Sequence, residues 1–354
     1  MSPAAGPPSV LELDAAPLER TVLEAGGRRF HADSIRAWVL RRGARTFGEM
    51  TDLPRDVADR LARALSPLSS TVGERRVAPD GTARLLVSLR DGNAIETVVL
   101  PGRAGATLCV STQVGCPVGC RFCASGLSGV VRNLTAAEIV EQFLHGRTEA
   151  ASGGASRPVA RAVVMGIGEP TLNLEALLAA LDLVTGPGGF GLGARRITIS
   201  TVGYPDRVRR LAAKGKPYNL AVSLHAPDDA TRAALIPAMA RVPLAAILEA
   251  ARDYFEKTGR EPTFEYVLLA GTNDAPEQAR ALARLLEGTR GTVNLIPYNP
   301  VPESPFRRPA RLDVEAFARI LRAHGIPATI RWSKGLEADA ACGQLRIDRA
   351  PPAR

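Results

Sequence analysis

The sequence has little sulfur, little histidine and little aromatic surface. Its 354 residues hold five cysteines, four methionines, four histidines and two tryptophans, and Phe, Tyr and Trp together make up 5%. No uncharged apolar run approaches the roughly 18 residues that a membrane-spanning helix needs. The opening stretch Met1-Ser2-Pro3-Ala4-Ala5-Gly6-Pro7-Pro8 has no charged start followed by an apolar core, so no secretory signal is expected. No repeat of solenoid type is present. These absences lead us to expect a cytoplasmic protein in a reducing compartment, without a membrane partner. Negative charge is also in deficit: 45 Lys and Arg against 36 Asp and Glu give a net charge of +9 and a pI near 9.8. A basic surplus favours a polyanionic partner, RNA or DNA. An Arg-rich composition with no such partner is the alternative that charge alone leaves open.

What is present is concentrated. Four of the five cysteines lie between Cys109 and Cys123, and Cys116, Cys120 and Cys123 form a C-x3-C-x2-C array. Thiolates are the usual ligands of iron–sulfur clusters, and three on one tight loop can hold three irons of a 4Fe–4S cluster. The fourth iron is then free for a cofactor. Gly115 and Gly119 suit a loop that needs positive φ, and Phe122 is placed to shield the cluster. A zinc site normally takes four ligands in C-x2-C pairs, and no second pair or nearby His completes one. The tight spacing and the lack of secretory features disfavour a disulfide framework.

A chain of this length can bury a large core and is expected to divide into a large and a small domain. Residues 1–10 read as a disordered lead. Helices are expected over 11–25, 32–42 and 53–64, the second with Ile35, Trp38 and Val39 at helical spacing. Arg28, Arg29, Arg36, Arg41, Arg42 and Arg45 make residues 1–75 a basic helical module, either RNA-contacting or simply solvated. Residues 76–104 read as a linking hairpin, with strands 83–89 and 95–100 joined through Arg90-Asp91-Gly92-Asn93. Glu96 interrupts the second strand; it either faces solvent or serves chemistry near the cysteine loop.

From 105 to 346 strands and helices alternate. Strands are expected at 106–111, 161–165, 196–200, 220–224, 263–269, 292–296 and 328–332. Helices are expected at 136–145, 174–184, 206–213, 244–256, 275–286 and 314–323. This alternation implies parallel βαβ units in an α/β protein, a partial (β/α)6 barrel whose ligands sit at the carboxyl ends of the strands. Residues 148–158 read as an exposed linker and 347–354 as a disordered tail. Several strand ends carry suitable residues: Met165-Gly166-Ile167-Gly168-Glu169-Pro170, Ser200-Thr201-Val202-Gly203, Ser223-Leu224-His225-Ala226-Pro227 and Asn294 to Pro300. Glu169 can accept from an ammonium group, or it simply ends a βα turn. His225 alone reads as structural, but it lies at the mouth of a strand. Cys342 follows the last strand in a Gly-containing loop, so it can reach the same mouth.

These residues resemble the radical S-adenosylmethionine (SAM) methyltransferases that modify adenosine C2 in ribosomal RNA and tRNA, together with their C8-methylating relatives. The resemblance rests on residues 106–116, the C-x3-C-x2-C array, residues 165–170 and 223–227, Phe264-Glu265-Tyr266-Val267, residues 294–299 and Ala341-Cys342-Gly343-Gln344-Leu345. Residues 30–53, with Phe47-Gly48-Glu49-Met50-Thr51-Asp52, resemble the family's N-terminal helical domain. The likeness spans roughly residues 10–346.

The resemblance implies a radical SAM barrel with an N-terminal helical domain. It implies that Cys116, Cys120 and Cys123 hold the cluster and that SAM chelates the open iron. Gly168, Glu169, Ser200, Ser223, Leu224, His225 and Asn299 line the SAM site. Cys342 takes the methyl group, Cys109 resolves the covalent adduct and Glu96 is the base. C2 and C8 of adenine are electron-poor and do not attack the methyl of SAM, so a radical route is needed. In that route Cys109 finally attacks the sulfur of Cys342, leaving a disulfide that an external reductant such as flavodoxin or ferredoxin must reset. The partners implied are 23S rRNA and tRNA, and a monomer is expected. The leading expectation is C2 methylation; C8 methylation and a non-catalytic iron–sulfur RNA-binding protein are the alternatives. Three segments depart from the family pattern: 200–203, 235–241 and 333–339. They bear on the RNA target more than on the reaction.

Overall fold

A computed structural model describes residues 6–127, 129–152 and 158–346. The first helices are α1 (Ala15–Glu24), α2 (Phe30–Ala37) and α3 (Arg55–Ala64). Each buries one stripe: Leu18 and Val22 on α1, Ala32 and Ile35 on α2, Val57 and Leu61 on α3. The helix expected over 32–42 is α2 continued by a π-helical stretch, Trp38–Arg42, which ends at Gly43 with φ 77°. The expected disorder of residues 1–10 is corrected for Ser9 and Val10. Val10 is fully buried and its N–H donates to Ser66 O at 2.9 Å, so apolar burial and backbone pairing fix this stretch. Residues 1–5 lie outside the described residues.

Three strands then run antiparallel, β1 (Thr71–Val77), β2 (Ala83–Ser88) and β3 (Ala94–Leu100). Strand β1 was not expected. All seven of its residues are exposed, so it lacks the alternation that marks a half-buried strand. Its pairing with β2 makes it a strand, and the boundary expected at 75/76 falls inside it.

The rest of the chain follows the alternation. After β4 (Ala106–Cys109) a small antiparallel ribbon, β5 (Gln113–Gly115) and β6 (Val130–Asn133), encloses the cysteine loop. Then come α4 (Ala136–Ser152), β7 (Val159–Val164), α5 (Leu174–Thr185), β8 (Ile197–Thr201), α6 (Pro205–Ala213) and β9 (Asn219–Ser223). They are followed by α7 (Asp229–Leu235), α8 (Leu244–Thr258), β10 (Thr263–Leu268), α9 (Pro276–Leu285), β11 (Thr292–Pro297), α10 (Arg311–Ala323) and β12 (Ala328–Ile330). The linker expected at 148–158 is corrected in part, because 148–152 close α4; residues 153–157 lie outside the described residues, as does the tail 347–354.

One ten-stranded sheet runs β1-β2-β3-β4-β7-β8-β9-β10-β11-β12. From β4 to β12 every neighbouring pair is parallel. Helical crossovers join these strands, as parallel pairing demands. Their apolar runs are covered on both faces, with Ile197, Ile199, Leu220, Val222 and Leu295 at 0% exposure. The sheet ends in the edges β1 and β12, so the barrel is partial and its mouth lies at the carboxyl ends of the strands.

Candidate active site

The chain leaves β4 at Cys109 and is held at once. Ser111 Oγ donates to Glu96 O at 2.6 Å and accepts from Ile167 N–H at 2.9 Å. The Gln142 amide brackets Ser111, accepting from its N–H at 2.7 Å and donating to its carbonyl at 3.0 Å. The ribbon then turns at Gly115, where a Cβ would stand 2.0 Å from Gly129 O, so only glycine fits. Cys116 N–H donates to Gly129 O at 2.8 Å, Cys123 N–H to Cys120 O at 3.1 Å and Arg121 N–H to Leu235 O at 3.1 Å. The loop is therefore fixed to β6 and α7.

Cys116, Cys120 and Cys123 line one cavity of about 1020 Å³, counting its open mouth. Burial pushes the Cys116 thiol up to about 12, raises Cys120 well above the ordinary value and raises Cys123. Thiols in this state become good ligands only when a cation displaces their protons. Among the described residues no three His, Cys, Asp or Glu side chains converge as a single bound ion requires. A cuboidal cluster asks for something different, one thiolate at each of three irons. Arg232, unforeseen in the sequence, supports that fit. It is 1% exposed, and its Nη2 donates to Val202 O at 2.6 Å and Ser223 O at 3.2 Å. Its Nη1 is buried without a hydrogen-bond partner, and its charge attracts the Cys120 thiolate. An anionic cluster with acceptor sulfurs is what a buried guanidinium with a spare N–H lacks.

The expected SAM residues Gly168, Glu169, Ser200, Ser223, His225 and Asn299 all line this cavity. Leu224 does not; it is fully buried, and its carbonyl accepts from Arg232 Nε at 3.2 Å. Gly168 has φ 109°, and a Cβ there would come 2.9 Å from Gln113 N. Glu169 is 3% exposed and takes four donors: Thr171 N–H at 3.0 Å, Thr171 Oγ1 at 2.6 Å, Thr201 Oγ1 at 2.7 Å and Val202 N–H at 2.9 Å. None of these donors is a cation, and burial raises the carboxyl pKa despite them. An ammonium ligand would supply the missing positive charge. Asn299 donates to Cys342 O at 2.9 Å, so it also holds the last cysteine.

His225 is 5% exposed and has φ 60°, uncommon for a residue with a Cβ. Its Nδ1 accepts from Val267 N–H at 3.0 Å, which puts the ring proton on Nε2. Its ring packs edge-on against Phe122 at 4.9 Å, and burial lowers its pKa to about 3. The ring is therefore expected to stay neutral as pH falls from 7 to 4, well below the ordinary value of 6.5. Nitrogen NMR of the labelled imidazole checks this: Nε2–H persisting at pH 4.5 is the expected result, and protonation near 6.5 would contradict it.

Cys342 lies on the wall between two cavities. It lines the first and also a second of about 760 Å³, counting its mouth, which Cys109 lines as well. Its side chain is exposed, but to these cavities; the surrounding protein still raises its thiol to about 11. Burial raises Cys109 to about 12, with the Cys342 charge adding to the rise. Arg331 lines both cavities and lowers both thiols. All five cysteines are free thiols. The Cys342 segment is bound to the cysteine loop: Ala124 N–H donates to Gly343 O at 2.8 Å and Ser125 Oγ to Leu345 O at 2.6 Å.

Glu96 does not face solvent. At 2% exposure it pairs with Arg84 at 2.8 Å and accepts from Arg346 N–H at 2.8 Å. It borders the Cys342 segment rather than either cavity. Four further residues were not assigned from the sequence: Thr201 and Gln113, which orient Glu169, and Glu265 and Arg331, which line the cavity. Glu265, Thr201 and Gln113 stood in motifs named above without being singled out; Arg331 carried no local signal.

Residues 110–284 match the model of the radical SAM superfamily, and residues 9–66 match the ribosomal RNA large subunit methyltransferase N-terminal domain. A probable dual-specificity RNA methyltransferase RlmN of Rhodopirellula baltica is 45% identical over 92% of this chain and 87% of that protein. One of the same description from Thermus thermophilus is 45% identical over 93% and 92%. The crystal structure of a radical SAM methyltransferase from Sphaerobacter thermophilus superposes with a TM-score of 0.91, at 43% identity over 96% of this chain and 99% of that one. Radical SAM enzymes use a 4Fe–4S cluster and SAM, and the loop and cavity described here suit both. The chain therefore belongs to the RlmN family of radical SAM methyltransferases.

Proposed function

We propose that the chain methylates C2 of an adenosine in 23S rRNA, and in tRNA, by way of a methylated cysteine. Its relatives are described as dual-specificity RNA methyltransferases, and the net charge of +9 suits an RNA partner. One observation carries the reading: Cys342 lines both the cavity of the three loop cysteines and the cavity of Cys109. A carrier thiol needs that position, because it must be loaded on one side and meet its resolving thiol on the other.

In this reading Cys116, Cys120 and Cys123 hold the cluster, and Gly168, Glu169, Ser200, Ser223, His225 and Asn299 surround SAM, with Leu224 behind them as the carbonyl that holds Arg232. Cluster and SAM, when bound, supply the methyl group and the one-electron chemistry. Cys342 must first lose its proton, which Arg331 favours. Once the one-carbon unit is joined to adenine, Cys109 attacks Cys342 Sγ. Cys109 gives up its proton, the S–S bond forms, the S–C bond breaks with its electron pair leaving on the carbon, and that carbon takes up a proton to become the methyl group. Glu96 is our candidate for the base that removes the ring proton. It now accepts from Arg346 N–H, so acting as the base requires that bond to open.

Residues 1–75 serve as the RNA-binding domain in this reading, with Arg28, Arg41 and Arg42 exposed and Arg45 turned inward to Leu144 O. Residues 76–104 link it to the catalytic part, 105–346. The enzyme acts as a cytoplasmic monomer, and a flavodoxin- or ferredoxin-type reductant resets the disulfide. No helix among the described residues is long and apolar enough to cross a membrane. Mass spectrometry of nucleosides from treated rRNA and tRNA tests the reading. It expects 2-methyladenosine; 8-methyladenosine alone would overturn the C2 assignment.

A further inference from the structure

We infer that Trp332, at the rim of the second cavity, is the aromatic platform on which the target adenine stacks as it enters that cavity. This rests on the function proposed above. A carbon inside a stacked base cannot reach a cysteine at the bottom of a cleft, so the nucleotide has to be extruded into a pocket. The cavity holding the loop cysteines and Glu169 suits the cofactor. The second cavity shares Cys342, Met165 and Arg331 with it and adds Cys109. Both sulfurs that must act on the adduct face this space, so the base belongs here.

The walls fit a flat purine. Leu100, Ile296 and Leu345 line it as apolar surface, beside the thioether of Met165. The rim carries Trp332, Ser333 and Lys334. Trp332 is 44% exposed, although large aromatics are normally well covered. The other tryptophan, Trp38, is partly buried and donates to Asp52 at 2.6 Å. The Arg311 guanidinium stands 5.3 Å from the Trp332 ring centre, and Lys334 is exposed with its Nζ donating to Pro101 O at 3.1 Å. The Arg311 guanidinium lies over one face of the ring, and an aromatic ring backed by a cation in this way can stack an unpaired base on its other face.

The test uses the reconstituted full-length enzyme. Trp332→Ala is expected to raise KM for RNA roughly ten- to a hundredfold, the effect of losing one stacked base, with kcat within about twofold. Trp332→Phe is expected to recover most of the loss, and cluster content and SAM binding are expected to stay at wild-type levels in both. In a Trp38→Phe protein the one remaining tryptophan reports directly: oligoadenylate is expected to quench its fluorescence saturably. A wild-type KM in Trp332→Ala, or fluorescence indifferent to oligoadenylate, would overturn the inference while leaving RNA methylation intact. Should the wild-type enzyme methylate no adenosine at all, the proposed function fails by itself, and the quenching still decides whether adenine meets Trp332.

Discussion

Cys342→Ala is expected to produce no methylated nucleoside, while the protein keeps its fold, its cluster and its SAM affinity. The side chain is exposed to cavities rather than packed in the core, so truncating it should change stability by no more than about 0.5 kcal/mol. The segment around it is held through its backbone, by Asn299 to Cys342 O and by Ala124 to Gly343 O, and the substitution leaves both bonds in place. What it removes is the one thiol that lines both cavities. Without that sulfur nothing carries a one-carbon unit to an electron-poor ring carbon. A non-catalytic iron–sulfur protein would show no difference between this variant and wild type. Nucleoside mass spectrometry, read beside iron content and thermal unfolding, separates the two cases.

Glu169→Gln is expected to weaken SAM binding by about thirtyfold or more. The carboxylate is buried and raised in pKa, and its four donors are neutral. Neutralising one partner of a buried, hydrogen-bonded charge pair costs about 2–5 kcal/mol. The amide also creates a local conflict: its NH2 cannot accept from Thr171, Thr201 or Val202, so donor faces donor on one side. The same carboxyl sets a pH dependence. SAM's ammonium favours the ionised form, and burial has raised the pKa of the free protein. SAM affinity therefore falls as pH drops through that raised value and recovers above it. Calorimetric titration of the reconstituted enzyme checks both statements; an unchanged Kd in Glu169→Gln would remove Glu169 from the site.

The cysteine loop and the strand-end motifs were legible because their chemistry is local. Three thiols within eight residues suggest a cluster without a partner, whereas the Gly-Glu-Pro after an apolar run left two readings open, a ligand acceptor or a plain βα turn. The alternation of strands and helices likewise fixed the parallel sheet. Strand β1 was hidden because all its residues are exposed, and its register depends on β2. Arg232 was hidden because an arginine in a short helix reads as solvated. Only the parallel pairing of β8 with β9 brings together the carbonyls of Val202 and Ser223 that hold it. Thr201 stood beside the serine that was named; both line the cavity, and Thr201 was missed because its hydroxyl serves the distant Glu169. Glu96 was left between facing solvent and serving chemistry because its buried partners, Arg84 and the Arg346 backbone, lie 12 and 250 residues away.

The pairing of the two lone thiols is the centre of the account, and Cys109→Ala tests it most directly. After reaction with SAM, reductant and RNA, peptide mass spectrometry is expected to find a nucleotide joined through one carbon to Cys342, with no free methylated RNA. Normal release of product from Cys109→Ala, or an adduct on any other residue, would contradict it.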